Sequence, residues 1–219
     1  MSVLHPADAA ELDGLLRRAA DTDVPRVLRV LAGGPDIDGE AVGTIAAHCR
    51  VDHVATLVFP AAVDDVRTYL LGRGWSPAPS VPSVVVRRRL ADRYGLGQEL
   101  LDVTIVHAFS PDSAGAEVFC LPPTSATEPV VDGERRHHWE RHTALMVDAP
   151  SERLLDDLRS LLTAAAAMRP DGGGYNPHED PEAGGRTVLY FRSPAGSRLE
   201  LTCAGDFTPV VARHLEGER

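Results

Sequence analysis

The stretch His53–Phe59 reads HVATLVF, and the stretch His142–Asp148 reads HTALMVD. Each is a mostly apolar run led by a histidine, the composition of a strand that buries at least one face. Downstream of each lies a second echo, Glu117–Cys120 (EVFC) and Glu200–Cys203 (ELTC). Glutamate follows histidine by 64 residues in the first case (53 to 117) and by 58 in the second (142 to 200). The doubling predicts two copies of one module, each contributing a histidine and a glutamate to a shared site.

Outward from these runs, the first copy reads as a strand at Val51–Phe59 and a helix over Ala61–Leu71 ended by Gly72 and Gly74. Strands are then expected at Ser83–Leu90, Leu101–Phe109 and Ala116–Leu121. The second copy restarts with a strand at Arg141–Val147 and a helix from Pro150 or Ser151 through Met168. Arg169–Gly185, rich in Gly, Pro and Asp, reads as a long loop, followed by strands at Thr187–Arg192 and Arg198–Cys203. Three short helices are expected ahead of the repeat: one opened by Pro6 with Leu12, Leu15 and Leu16 on one side, one over Pro25–Leu31 stopping at Gly33-Gly34-Pro35, and one over Asp38–His48. The segments are therefore a helical extension (1–48), a first βαβββ module (49–123), a linker (124–138), a second βαβββ module (139–206) and a tail (207–219).

Composition narrows the function classes. The chain has 219 residues and a net charge of −10, with 22 basic against 32 acidic residues, which disfavours a general binder of nucleic-acid backbones. Cys49, Cys120 and Cys203 show no CxxC spacing, so neither a disulfide framework nor a thiolate zinc site is indicated. No apolar run approaches membrane-spanning length and the start has no basic-then-apolar leader, so a soluble cytoplasmic protein is expected. Gly172-Gly173-Gly174 lacks the residues that make a phosphate-binding loop, and no serine elbow is present.

A glutamate within an apolar strand is costly to bury unless it is paired, protonated or bound to a metal. Glu117 lies between Ala116 and Val118, and Glu200 between Leu199 and Leu201. Strand alternation could instead turn each to a solvated face. Recurrence together with His53 and His142 favours a metal: two imidazoles and two carboxylates suit Zn, Fe, Ni, Co or Mn and leave positions for water or substrate. Such an ion can polarise a carbonyl or hold an enediolate oxygen, and a glutamate off the metal can act as proton-transferring base. A face of both histidines and one glutamate would suit iron(II) with substrate and oxygen.

The repeated strand-helix-three-strand pattern, opened by HVATLVF and HTALMVD and closed by AEVFC and LELTC, resembles the vicinal oxygen chelate family, which includes glyoxalases, bleomycin-resistance proteins and extradiol dioxygenases. The most specific piece is YFRSPAGSRLEL, Tyr190–Leu201, similar to the family's aromatic strand, Asp-Pro-x-Gly turn and glutamate strand, with Ser193 where aspartate is frequent. The resemblance covers about residues 51 to 205. It implies an α+β fold in which paired βαβββ modules form a cupped mixed sheet with helices outside. It also implies His53, Glu117, His142 and Glu200 as metal ligands, with Glu117 or Glu200 moving a proton. The full set looks more like glyoxalases and metal-dependent epimerases than the three-ligand dioxygenases, while some members bind antibiotics without catalytic metal.

Other residues are expected around that site. On the proposed Ser83–Leu90 strand, Arg87, Arg88 and Arg89 alternate across the sheet, and Arg87 and Arg89 are placed as carboxylate-binding candidates beside a solvated-face alternative. His107 is a candidate substrate contact on the next strand, and Tyr175 lies in the loop with His178-Glu179-Asp180, which could form a lid or a solvated acidic segment. Cys120 and Cys203 fall three residues after the glutamates and are assigned to packing. The expected function is a metal-dependent lyase or isomerase acting on a small oxygenated, carboxylate-bearing molecule. The alternatives are a non-haem Fe(II) dioxygenase and a metal-free small-molecule binding or resistance protein. The expected partner is the small molecule, with a homodimer as one arrangement of the modules and with neither nucleic acid nor membrane.

Overall fold

The computed structural model describes residues 4–20, 23–32 and 38–216, and among these it contains eight α-helices and nine strands, an α+β fold. The stop expected at Gly33-Gly34-Pro35 lies outside the described residues. The chain divides into two compact units, Met1–Ala20 with His53–Arg141, and Asp21–Asp52 with His142–Arg219. The amino-terminal helices are therefore shared out: α1 (Pro6–Arg18) belongs to the first unit, and α2 (Val24–Ala32) and α3 (Gly39–His48) to the second. No helix among the described residues is long and apolar enough to cross a membrane.

In the first unit, β1 (Cys49–Val58, whose first four residues fall in the second unit) runs parallel to β5 (Gly115–Cys120). β5 is antiparallel to β4 (Thr104–Phe109), and β4 is antiparallel to two fragments, β2 (Ser76–Pro77) and β3 (Val81–Pro82). Together β2 and β3 make a broken edge strand, and their prolines, which cannot donate to a ladder, are tolerated at such an edge. One sheet face packs Val54, Val58, Val106, Val118 and Cys120 against Leu12 and Leu15 of α1 and Val66 and Leu70 of α4 (Val63–Leu71). The other face packs Ala55, Leu57, Ile105 and Phe119 against Val86 and Leu90 of α5 (Val84–Tyr94) and Val130 and Val131 of α6 (Glu128–His137).

Helix α5 corrects the strand expected at Ser83–Leu90. Three consecutive valines suggested a strand, but the caps decide otherwise: the Ser83 hydroxyl accepts from the Val86 N–H, and Gly95 closes the helix in the left-handed conformation (φ 63°). Val86 and Leu90, four apart, then share the buried side, while Arg89 and Arg93, also four apart, both bind Glu140. The stretch expected as a linker is largely α6.

In the second unit, β6 (His142–Val147) is parallel to β9 (Arg198–Ala204), β9 antiparallel to β8 (Arg186–Arg192), and β8 antiparallel to β7 (Arg169–Asn176). With α7 (Glu152–Ala165) between β6 and β7, this is the βαβββ order and the pairing of the first unit again. The outer face packs Leu145, Val147, Leu189, Phe191, Leu199 and Leu201 against Leu155, Leu158 and Leu162 of α7, and α2, α3 and α8 (Thr208–Glu216) complete that core. Strand β7 corrects the first half of the loop expected over Arg169–Gly185, and the stretch after Asn176 is irregular as expected. The strand's glycines serve the pairing: Gly172 takes φ 93° within an irregularity between Pro170 and Gly173, and a Cβ on Gly173 would stand 2.8 Å from the Val188 carbonyl oxygen.

Helix α1 is tied to the first unit by charge as well as by Leu12 and Leu15. Buried Glu11 accepts from Thr56 Oγ1 and from Arg141 Nε, both at 2.6 Å, and Asp8 accepts from Arg135 Nη2 at 2.7 Å. Burial opposes the Glu11 charge, but the Arg141 and Thr56 hydrogen bonds outweigh it and hold its pKa below the usual carboxylate range. The stability this contributes is full above the unfolded-chain value of about 4.3 and is lost as pH falls through the lower folded value. Glu11→Gln is expected to cost about 2 kcal/mol in urea unfolding at neutral pH, with the gap to the wild type closing in the acid range; an equal gap at all pH values would contradict the assignment.

Candidate metal centre

Register brings each histidine to its glutamate. In the first unit Ala55 is the parallel partner of Glu117, and His53 lies two residues earlier on the same face of β1. In the second, Ala144 is the parallel partner of Glu200, and His142 again lies two residues earlier. The same step gives nearly the same contact: His53 Nε2 is 3.2 Å from Glu117 Oε2, and His142 Nε2 is 3.0 Å from Glu200 Oε2. All four residues are 5% exposed or less, which removes the reading of a solvated strand face.

The correspondence extends across the next strand. His107 of β4 is the partner of Glu117, and Tyr190 of β8 is the partner of Glu200. His107 Nε2 is 3.8 Å from Glu117 Oε1, and its ring meets that of His53 edge-on at 6.4 Å between centroids. Tyr190 meets His142 in the same way at 5.2 Å. His107, expected as a substrate contact, is thus beside the His53–Glu117 pair.

Beyond the pairs the two faces diverge. Two residues past Glu117 stands Phe119, in the apolar cluster under α5 and α6; two residues past Glu200 stands Thr202, fully buried, with no hydrogen-bond partner for its hydroxyl among the described residues. Two residues before Glu200, buried Arg198 donates from Nε to Asp171 Oδ2 at 2.6 Å, and Arg192 Nη2 reaches the same oxygen at 2.9 Å. Burial works against charge on Asp171, and Arg198 and Arg192 outweigh it, holding its pKa below the usual range. The second unit therefore presents a polar surface around its pair, the first a largely apolar one.

With Ser83–Leu90 helical, Arg87 and Arg89 do not alternate across a sheet: Arg87 is half-buried on α5, and Arg89 is bound to the buried Glu140 carboxylate. Tyr175 is in register with Thr187, one step out of phase with Tyr190, and so lies on the face opposite Glu200, its hydroxyl donating to the Gly184 carbonyl at 2.9 Å. Glu179 is buried, 3.0 Å from Arg186, rather than solvated as the acidic-segment reading had it, whereas His178 and Asp180 are exposed. His137 stacks on Trp139, and His138 lies 3.7 Å from Glu11. The three cysteines are free and buried, and burial pushes Cys49 and Cys203 up to about 12.

Sequence reasoning missed Arg198, Thr202 and the Asp171–Arg192 link. The first two carried a signal, since residues two before and two after a glutamate on a strand share its face; Asp171 carried none, because its strand was read as a loop.

The chain resembles the vicinal oxygen chelate family. That likeness rests on its repeated strand-helix-three-strand units and their shared pairing. No protein-family model and no curated protein matches the sequence. Among solved structures, the chain is similar to a variant of Streptomyces coelicolor methylmalonyl-CoA epimerase in complex with 2-nitronate-propionyl-CoA, at 14% identity and TM-score 0.41, over 73% of this chain and 99% of that one. It is also similar to a glyoxalase family protein from Bacillus cereus, at 19% identity and TM-score 0.25, over 71% of this chain and 93% of that one.

A buried hydroxyl without a partner is destabilising. Thr202→Val is therefore expected to raise the unfolding free energy of the ligand-free protein by about 1 kcal/mol, measured by chemical denaturation. A loss of stability would show that the hydroxyl is already bonded.

Proposed function

We propose that the chain is a metal-dependent isomerase or lyase for a small molecule that presents adjacent oxygen atoms, one of them from a carboxylate. The observation that supports this most is the pair of buried His–Glu couples built by the same register step in both units. The donor chemistry fits a divalent ion: each couple offers an imidazole nitrogen beside a carboxylate oxygen, and neither couple alone supplies the three or four protein ligands that hold such ions. Pooled, His53, Glu117, His142 and Glu200 supply four. A divalent ion held there would provide Lewis-acid stabilisation of charge developing on a substrate oxygen.

The chain's own residues supply the rest. His53 and His142 would anchor the ion through the Nε2 atoms that stand beside the glutamate oxygens. One of Glu117 and Glu200, off the ion, takes a proton from the carbon beside the substrate oxygen; in an isomerisation it returns that proton to a neighbouring atom, and in an epimerisation the other glutamate, protonated, delivers one to the opposite face. His107, whose Nε2 stands 3.8 Å from Glu117 Oε1, would stabilise that carboxylate's charge when protonated. The apolar surroundings of Phe119 keep water from the Glu117 side, strengthening its interactions.

The test is proton exchange. Metal-loaded protein incubated in D2O with a panel of 2-hydroxy and 2-oxo acids is expected to incorporate deuterium beside the carbonyl of at least one. Glu117→Gln or Glu200→Gln should slow that exchange by about two orders of magnitude or more. Turnover that consumes oxygen would establish the dioxygenase instead, and stoichiometric binding without exchange or change in ligand mass would establish a sequestering protein.

A further inference from the structure

The second unit holds a cleft of about 790 Å³ where α7 meets the start of β7 and the end of β8. Its walls carry three guanidinium groups from three different elements: Arg159 from α7, Arg169 from β7 and Arg192 from β8. In a chain of net charge −10, three arginines around one cleft run against the background.

Their hydrogen bonds show which donors remain. Arg159 gives Nη1 to the Arg213 carbonyl at 2.8 Å and sets Nη2 3.1 Å from Asp156, while its Nε is buried without a hydrogen-bond partner among the described residues. Arg192 gives Nη1 to the Gly196 carbonyl and Nη2 to Asp171. Arg169 is exposed and makes no ion pair among the described residues. Asp171 is the one carboxylate in the lining, and Arg198 also binds it, so its charge is already shared between two guanidinia. The hydroxyls of Ser160 and Thr163 donate to backbone carbonyls within α7, leaving oxygen lone pairs rather than protons toward the cleft, so the arginines are its donors.

We propose that this cleft is an anion site for a phosphoryl group, separate from the His–Glu couples. A carboxylate offers two oxygens in one plane and suits a single guanidinium fork. A phosphoryl group offers three peripheral oxygens spread about a tetrahedral centre, which matches donors arriving from a helix and two strands. Asp171 links the cleft to the face that bears Glu200, since its Oδ2 takes Arg192 from the cleft and Arg198 from two residues before Glu200. Phosphoryl binding that draws Arg192 away would leave Asp171 more fully to Arg198.

The experiment is isothermal titration of chelator-stripped protein with inorganic phosphate at constant ionic strength, with malonate as the carboxylate comparison. Saturable binding of one phosphate per chain, tighter than malonate, is expected, with affinity reduced about tenfold or more in Arg169→Glu while the thermal midpoint is unchanged. Arg17→Glu, an exposed reversal on α1 in the other unit, should leave binding as in the wild type, and so should His142→Ala. Absence of saturable binding, malonate binding as well as phosphate, or equal loss in Arg17→Glu or His142→Ala would overturn the proposal. None of these outcomes bears on metal content, so the cleft and the metal reading stand or fall separately.

Discussion

A carboxylate in the middle of a sheet must find a partner, and in each unit it finds an imidazole on the adjacent parallel strand. That pairing sets the rest. It requires the opening and closing strands of a module to be neighbours; they are parallel here, so the intervening chain crosses over and returns, by a helix and two antiparallel strands. It also fixes register to the residue, because a slip of one would turn the glutamate to the opposite face and its apolar neighbours toward the histidine. Ala55 and Ala144, small residues opposite the glutamates, leave room for the histidines two positions back to reach across.

The two modules share this scheme and differ in what surrounds it. The first carries α5 and α6 on the same side as its couple, and Phe119, Ile105 and Leu57 fill the face beneath them. The second leaves its equivalent positions to Thr202, Val188, Tyr190 and Arg198, with Asp171 and Arg192 behind. The face around the first couple is thus largely apolar and that around the second largely polar.

Much of this was legible in the sequence, and the limits have definite causes. The His–Glu doublets were visible because a charged residue inside an apolar strand is anomalous, and α1 because Pro6, Leu12 and Leu15 give a start and a spacing. Helix α5 is hidden by Val84, Val85 and Val86, whose β-branching points to a strand, although Ser83 and Gly95 cap a helix. Strand β7 was hidden for the opposite reason: its Gly172–Gly174 run has turn composition, yet Gly173 is required where the backbone meets Val188. Strand β7 is an edge, where tertiary pairing rather than local composition decides the conformation. Arg87 and Arg89 were misplaced as a direct consequence of reading α5 as a strand. Arg198 and Thr202 needed only strand parity counted outward from Glu200.

The central claim is that the two couples act on one ion. Titration of chelator-stripped protein with cobalt(II), followed by its visible ligand-field bands, tests it most directly. The account predicts saturation at one ion per chain, with His53→Ala and His142→Ala each abolishing tight binding altogether. Two ions per chain, or a single variant that keeps half of the wild-type binding, would mean that each couple works alone and would contradict it.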